Sequence, residues 1–124
     1  MALALMAALG RGGAPTTMIL NVRNGTAVPG LPPDAVVEVP CVVDAGGVRP
    51  LATRPLPGRF LGLIQQVKAA EQLTIEAAVT GSADLALHAF ATHPLVDSVS
   101  TARHLLDDYR ARLPALATLL PTRH

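Results

Sequence analysis

The chain has 124 residues, of which 50% are hydrophobic and 15% charged, and its formal net charge is +1 at pH 7. This length predicts a single domain, residues 1–124, with a buried core. An aromatic content of 2% and so small a charge exclude a base-stacking or strongly cationic nucleic-acid surface. The high apolar fraction predicts that part of the surface contacts another domain or subunit.

The N-terminal run "MALALMAALG" predicts a short helix that ends near Gly10. The run lacks the basic start of a signal peptide and is far too short to cross a membrane. No other segment approaches membrane-spanning length.

Three strands follow. "TTMILNV" (residues 16–22) is a β-branched run that ends at an Asn-Gly pair, and the loop at 24–34 is rich in Gly and Pro. "AVVEVPCVV" (35–43) predicts the second strand, and "DAGG" predicts the turn into a short third strand at 48–52. Pro40 lacks an amide donor, which favours an edge or a bulge. Both faces of the second strand are largely apolar, which predicts cover on both sides.

Helical periodicity begins after residue 58. Apolar residues at helical spacing predict a long helix over 59–79. Ser82 is the expected N-cap of a helix that runs to Thr92. A third helix is expected from about residue 99, with Pro114 ending or kinking it.

Two residues of the second predicted strand raise the question of a site. Cys41 is the only cysteine, so it forms no intramolecular disulfide, which fits a reducing compartment. It lies among valines with no nearby cation, which favours a small core residue over a nucleophile. Glu38 is costly in an apolar strand unless it is paired or solvated. A salt bridge with Arg49 or Arg23 is expected, and a polar partner outside these residues is the alternative.

The titratable residues of the helices give weak signals. His88 and His93 are five apart, which is unsuitable for two ligands on one helix face, whereas Asp84 and His88 are four apart and could pair. The remaining candidates are explained as solvated helix faces. They are the carboxylates of Glu71, Glu76, Asp107 and Asp108. Tyr109 stands alone on the last predicted helix, without a partner that would activate it.

The most site-like segment is "NVRNGTAVPGLP", in which Asn21 and Asn24 flank the end of a strand. Amides at a strand exit can face a ligand. Turn chemistry accounts for Asn24-Gly25 equally well.

Several stretches together resemble the C-terminal region of glycoside hydrolase family 4, of the 6-phospho-β-glucosidase type. They are the Asn-Gly strand exit, "LPPDAVVEVP", "GGVRPL", "QQVKAAEQLTIEAAVTG" and "HPLV". The resemblance covers residues 16–112. Ala70 departs from it, because a tyrosine is expected before Glu71.

The resemblance implies an α+β fold: a small, mostly antiparallel sheet and hairpin packed against several helices, as in the C-terminal domain of a lactate-dehydrogenase-like two-domain enzyme. It implies an enzyme that hydrolyses 6-phosphoglycosides by oxidation, elimination, addition and reduction, rather than with two carboxylates. Such an enzyme holds NAD on an N-terminal Rossmann domain, and a divalent metal, often manganese, through a Cys and a His. It also implies a cytoplasmic location and a homo-oligomer.

Little of that catalytic apparatus is expected in these residues. The sequence carries no GxGxxG fingerprint, and Cys41 and Tyr109 do not match the family's metal-binding cysteine or catalytic tyrosine. The expectation is therefore a C-terminal part without the Rossmann domain, inactive alone, binding neither cofactor nor metal. Only Asn21 and Asn24 are expected near the rim of the substrate cleft. The alternative is a free-standing interaction or assembly module that kept the fold without the chemistry, and nucleic-acid or membrane partners are not expected.

Overall fold

A computed structural model describes residues 2–10 and 13–121. The chain divides into two compact units, one up to Pro57 and one from Gly58 on. Whether the two units form one domain, as the sequence predicts, stays a prediction. The part of the chain that the structure describes has no helix long and apolar enough to span a membrane.

The first unit contains one helix and a sheet. Helix α1 spans Ala2–Leu9, and the strands are β1 (Thr16–Arg23), β2 (Val36–Asp44) and β3 (Gly47–Pro50). The three strands form an antiparallel sheet in the order β1-β2-β3. The predicted helix, both strands and the hairpin are confirmed, as is the α+β class.

The sheet has one buried and one exposed face. Val37, Val39, Cys41 and Val43 of β2 are all buried, and α1 packs against this strand. The opposite face of β2 is exposed or half-buried, so the prediction of cover on both sides is wrong for this chain. The apolar residues of β2 therefore include four that fill the buried face of the sheet. Among residues 2–10 and 13–57 of this unit, nothing covers the other face of β2.

Pro40 lies in the central strand, not at an edge or a bulge. Its carbonyl accepts a hydrogen bond from the amide of Leu51 at 2.9 Å, which places its missing N–H on the side of β3. Because β3 ends at Pro50, the proline stands where the β2–β3 ladder is ending. The ladder therefore loses little from the missing donor.

The second unit is helical. Its helices are α2 (Gly58–Thr80), α3 (Ala83–Thr92), α4 (Val99–Arg112) and α5 (Pro114–Leu119). The predicted helices are confirmed, and Pro114 does not kink α4 but opens the separate α5, where its fixed φ suits the first turn.

Local chemistry explains these helix ends. The hydroxyl oxygen of Ser82 accepts from the amide of Leu85 at 3.3 Å, and that of Ser98 accepts from the amide of Thr101 at 3.0 Å. Each hydroxyl satisfies a donor that the first turn leaves unpaired. Gly81 joins α2 to α3 with φ +67°, a conformation that favours glycine.

The core of the helical unit is small. Ala77, Ala86, Leu106 and Leu120 form its buried cluster. Several large apolar side chains of α2 remain outside it, and Ile75 and Val79 are 64% and 80% exposed. The predicted helix is therefore confirmed, but several of its large apolar side chains are not buried within this unit.

Candidate functional site

Asn24, the residue after β1, organises the loop between β1 and β2. It is only 1% exposed, and its side-chain amide nitrogen lies 3.2, 3.1 and 3.2 Å from the carbonyl oxygens of Val28, Leu31 and Pro32. Its side-chain oxygen accepts from the amide of Val28 at 2.8 Å. The Asn24 side chain thus binds the loop to itself, and turn chemistry explains this asparagine.

The loop around Asn24 is well packed. The backbone amides of Asn24 and Gly25 donate to the carbonyls of Ala35 and Pro33, both at 2.8 Å. Apolar loop residues fill its interior. The buried ones are Ala27, Val28, Leu31 and Ala35. The strand exit is therefore held in place from inside the loop.

Asn21 is differently placed, on the exposed face of the sheet. In the β1–β2 register it stands opposite Glu38, and Arg23 stands opposite Val36 at the next position on the same face. The two asparagines that the sequence predicts at the cleft rim are thus separated: Asn21 faces outward and Asn24 faces into the loop. Arg23 was expected only as a partner of Glu38, but the two-residue period of β1 places it on the same face as Asn21.

The predicted salt bridges of Glu38 are not found. Within residues 2–10 and 13–121, no ion pair joins Glu38 to Arg49 or Arg23. Arg49 instead pairs with Asp44 across the β2–β3 turn. The hydrogen bond from Arg49, with a second from the amide of Gly46, holds the pKa of Asp44 below its usual value, and the same pairing raises the pKa of Arg49. Glu38 lies on the exposed face, so solvation rather than pairing explains its tolerance.

A depression of about 500 Å³ lies at the exit of β1. Its lining combines the end of β1, the first part of the Asn24 loop and the end of the hairpin. The lining residues are Arg23, Asn24, Gly25, Thr26, Ala27, Pro33, Pro50 and Ala52. The hairpin side is fixed to the loop because the amide and the hydroxyl of Thr53 both donate to the carbonyl of Ala27, at 2.7 and 3.1 Å. This depression, with Asn21 on the neighbouring strand face, is the candidate site.

Cys41 is a core residue. It is 0% exposed, and its thiol lies 3.4 Å from the carbonyl oxygen of Val39. The prediction of a core cysteine is confirmed. Among the described residues, no group of three or more His, Cys, Asp or Glu side chains could hold a metal ion.

The titratable residues of the helices lie largely at the surface. Glu71 pairs with Lys68 at 2.6 Å, and Asp107 lies 4.0 Å from Arg110. No ion pair between Asp84 and His88 is found in the described part of the chain. Tyr109 stacks on Phe90, with ring centroids 5.8 Å apart. The interpretation of these carboxylates as solvated helix faces is confirmed.

The helical unit contains an apolar cavity of about 490 Å³. Alanines form much of its wall, including Ala70, which is 3% exposed, and Ala77. Ala70, the departure from the resemblance, therefore lies at a position where a larger side chain would occupy this space. The wall is mostly apolar, and its polar members are Glu71, Thr74, His93 and Tyr109.

The comparisons with known proteins agree with the resemblance. Residues 1–96 match the family described as "Family 4 glycosyl hydrolase C-terminal domain". A probable 6-phospho-β-glucosidase of Bacillus subtilis is 40% identical over 77% of this chain and 22% of its own length. The 6-phospho-β-glucosidase BglT of Thermotoga maritima is 41% identical over 73% of this chain and 22% of its own. The chain thus spans about a fifth of the length of these curated relatives.

Solved structures give the same result. The 6-phospho-β-glucosidase of Thermotoga maritima with NAD and glucose-6-phosphate matches with a TM-score of 0.81 and 35% identity, covering 93% of this chain and 28% of that one. A 6-phospho-α-glucosidase from gut microorganisms, in complex with NAD and Mn²⁺, matches with a TM-score of 0.77 and 31% identity, covering 82% and 23%. The chain belongs to the family 4 glycosyl hydrolases, and its residues 1–96 correspond to their C-terminal domain.

Proposed function

We propose that this chain is a C-terminal part of an NAD- and divalent-metal-dependent 6-phosphoglycosidase of the 6-phospho-β-glucosidase type. The match of residues 1–96 to the family 4 C-terminal domain carries the proposal. The two β-glucosidase relatives, at 40% and 41% identity, favour the β type over a 6-phospho-α-glucosidase at 36%. The substrate is then a phosphorylated glycoside.

NAD and the metal are proposed to bind outside these residues. Related structures contain NAD, Mn²⁺ and glucose-6-phosphate. The donor set of this chain does not fit a metal, because Cys41 is enclosed and the described residues offer no cluster of ligands. In the proposed enzyme a Rossmann domain supplies the NAD site, and the present chain contributes a wall of the substrate cleft.

Asn21 and Asn24 have different roles in that wall. The exposed amide of Asn21 can both donate to and accept from sugar hydroxyls. The guanidinium of Arg23 on the same face adds a permanent positive charge suited to an anionic substrate. Asn24 acts indirectly, since its amide is already engaged and fixes the loop that bounds the depression.

The isolated chain is expected to be inactive. The test is release of p-nitrophenol from p-nitrophenyl β-glucoside 6-phosphate by the pure chain, with NAD, Mn²⁺ and a thiol reductant added. The Thermotoga maritima enzyme serves as the positive control. We expect no release above background. Sustained turnover by the chain alone would contradict the proposal that the NAD and metal sites lie outside these residues.

The cleft role of Asn21 is tested in a hybrid enzyme, in which this chain replaces the matching segment of the Thermotoga maritima 6-phospho-β-glucosidase. Loss of one hydrogen bond to the substrate in Asn21→Ala is expected to lower kcat/KM by about tenfold. Thr17→Ala, on the same face of β1, is the matched control and should leave kcat/KM unchanged. Equal kcat/KM values for the two variants would contradict a contact between Asn21 and the substrate.

Location and assembly follow from the same proposal. A phosphorylated sugar is made on import, so a cytoplasmic enzyme is proposed. The exposed apolar side chains of α1 and α2, such as Leu3 and Val79, support contacts with the remaining enzyme or with another subunit of a homo-oligomer. These same surfaces favour the second candidate function, an interaction or assembly module without chemistry. An inactive but folded hybrid would favour that module.

A further inference from the structure

Asn24 and Gly25 form the only Asn-Gly pair of the chain. Such a pair is prone to deamidation, because glycine has no Cβ to hinder attack by its backbone nitrogen on the preceding side chain. The other asparagine, Asn21, is followed by the β-branched Val22 within a regular strand. The reactive asparagine is therefore the one that organises the loop at the candidate site.

Both reacting groups are engaged while this loop is closed. The amide of Gly25, which must lose its proton before it can attack, donates to the carbonyl of Pro33 at 2.8 Å. The side-chain oxygen of Asn24 accepts from the amide of Val28 at 2.8 Å, and its side-chain nitrogen lies within 3.2 Å of three carbonyl oxygens. Asn24 is also 1% exposed, which keeps water away from it. Attack on its side-chain carbon therefore requires the loop to open.

The backbone explains why a glycine follows Asn24. Gly25 has a φ of +53°, a left-handed conformation that glycine adopts at a lower cost than other residues. Apart from the chain neighbours, no heavy atom of the described residues lies within 4 Å of a Cβ built at this position, so the constraint is conformational. The turn that closes the loop thus favours the same glycine that makes Asn24 reactive in the open loop.

We propose that Asn24 is a deamidation site that reacts when its loop opens. The backbone nitrogen of Gly25 loses its proton and attacks the side-chain carbonyl carbon of Asn24. A bond forms between these two atoms to close a succinimide ring, the bond from that carbon to the side-chain nitrogen breaks, and this nitrogen takes up the proton and leaves as ammonia. Water then opens the ring at either of its carbonyls, which gives aspartate or isoaspartate at this position.

Either product opposes closure of the loop. A carboxylate oxygen would replace the amide nitrogen that lies against the carbonyls of Val28, Leu31 and Pro32, so an acceptor would face acceptors. An ionised carboxylate placed against carbonyl oxygens is also costly to bury. Because this loop bounds the depression at the exit of β1, the modification alters the candidate site. The inference goes beyond the proposed function, since it concerns the lifetime of the folded loop rather than the reaction.

The test compares deamidation of the intact chain in native buffer and in urea at the same mildly alkaline pH. Peptic digestion in acid and tandem mass spectrometry then locate the modified residue. We expect Asn24 to react about 100-fold more slowly in the native chain than in urea, because reaction requires local opening. The slowing should match the protection of the Gly25 amide against hydrogen exchange, since both need the same opening. Asn21 is the internal control and should stay intact over the same period.

Two results would overturn the proposal at this stage. Equal rates for Asn24 in native buffer and in urea would show that the loop does not control the reaction. An intact Asn24 in urea would show that this residue is not a deamidation site. Gly25→Ala, which adds a Cβ beside the attacking nitrogen, should lose most of the deamidation seen in urea. This comparison is made on unfolded chains, so it holds even if the variant does not fold.

The consequence for the loop is measured after dilution from urea. Wild type kept in urea only briefly should regain hydrogen-exchange protection of the Val28 amide. Wild type held there until Asn24 has deamidated should not regain it, and Asn24→Asp, which reproduces one product, should behave in the same way. Full protection of Val28 in the deamidated chain would contradict the effect on the loop. These readouts are masses and exchange rates, so their outcome is independent of the activity of the hybrid enzyme.

Discussion

Replacing Asn24 with alanine should destabilise the sheet unit, because one side chain serves several buried backbone groups. The amide of Val28 and the carbonyl of Leu31 lose their partner in a buried setting, whereas the carbonyl of Val28 keeps the amide of Leu31 at 3.4 Å. Each unsatisfied group costs roughly 1–3 kcal/mol, so the sum is roughly 2–6 kcal/mol. The carbonyl of Pro32 is only partly buried and can take water instead. We expect a loss of about 3 kcal/mol.

Amide hydrogen exchange measured by NMR localises this effect to the loop. In Asn24→Ala the amide of Val28 should exchange about 100-fold faster or more, since 1.4 kcal/mol corresponds to a factor of ten. Amides of α2 should be unaffected. Asn21→Ala is the matched control, with an exposed asparagine and an expected change within about 0.5 kcal/mol. Unchanged protection of Val28 in Asn24→Ala would refute the assignment of Asn24 as the organiser of the loop.

Three further predictions concern the hairpin and the helices. The pKa of Asp44 is lowered in the folded state, so its pairing with Arg49 contributes fully to the free energy of unfolding above the usual value of 3.8. This contribution is lost as pH falls through the folded pKa. In an NMR titration, Arg49→Ala should return the pKa of Asp44 toward 3.8. In urea unfolding, Gly81→Ala should lower the free energy of unfolding of the helical unit by more than about 1 kcal/mol. The reason is that φ is +67° and a Cβ would lie 2.9 Å from the Leu119 carbonyl oxygen. Gly62→Ala, at an exposed position of α2, is the control and should raise that free energy slightly. Leu106→Ala, at a site 5% exposed, should cost about 2–5 kcal/mol in the same assay, and a cost below about 1 kcal/mol would contradict its place in the core.

Local sequence signals were sufficient for the elements. The Ser82 cap, the Asp44–Gly47 turn and the period of α2 all act over a few residues, and the structure confirms each of them. The prediction that Pro40 lies at an edge or a bulge was wrong. The number of hydrogen bonds lost through its missing N–H depends on where β3 ends, which is a property of the hairpin rather than of the proline.

The sequence indicated the segment that forms the candidate site, but not which of its two asparagines is exposed. Asn21 and Asn24 look alike in the chain, yet strand parity turns one toward solvent while the loop closes over the other. The predicted partner of Glu38 was wrong because Arg49 has a nearer carboxylate across the turn. The family was predicted from the resemblance of several segments in order rather than from a catalytic motif, and the match of residues 1–96 to the family 4 C-terminal domain agrees with it.

Turnover of p-nitrophenyl β-glucoside 6-phosphate by the hybrid enzyme tests the central claim most directly. If this chain is a working C-terminal part of a family 4 phosphoglycosidase, the folded hybrid hydrolyses the substrate, and removal of NAD or Mn²⁺ abolishes the reaction. A folded hybrid that binds NAD but gives no turnover under the same conditions would contradict the claim.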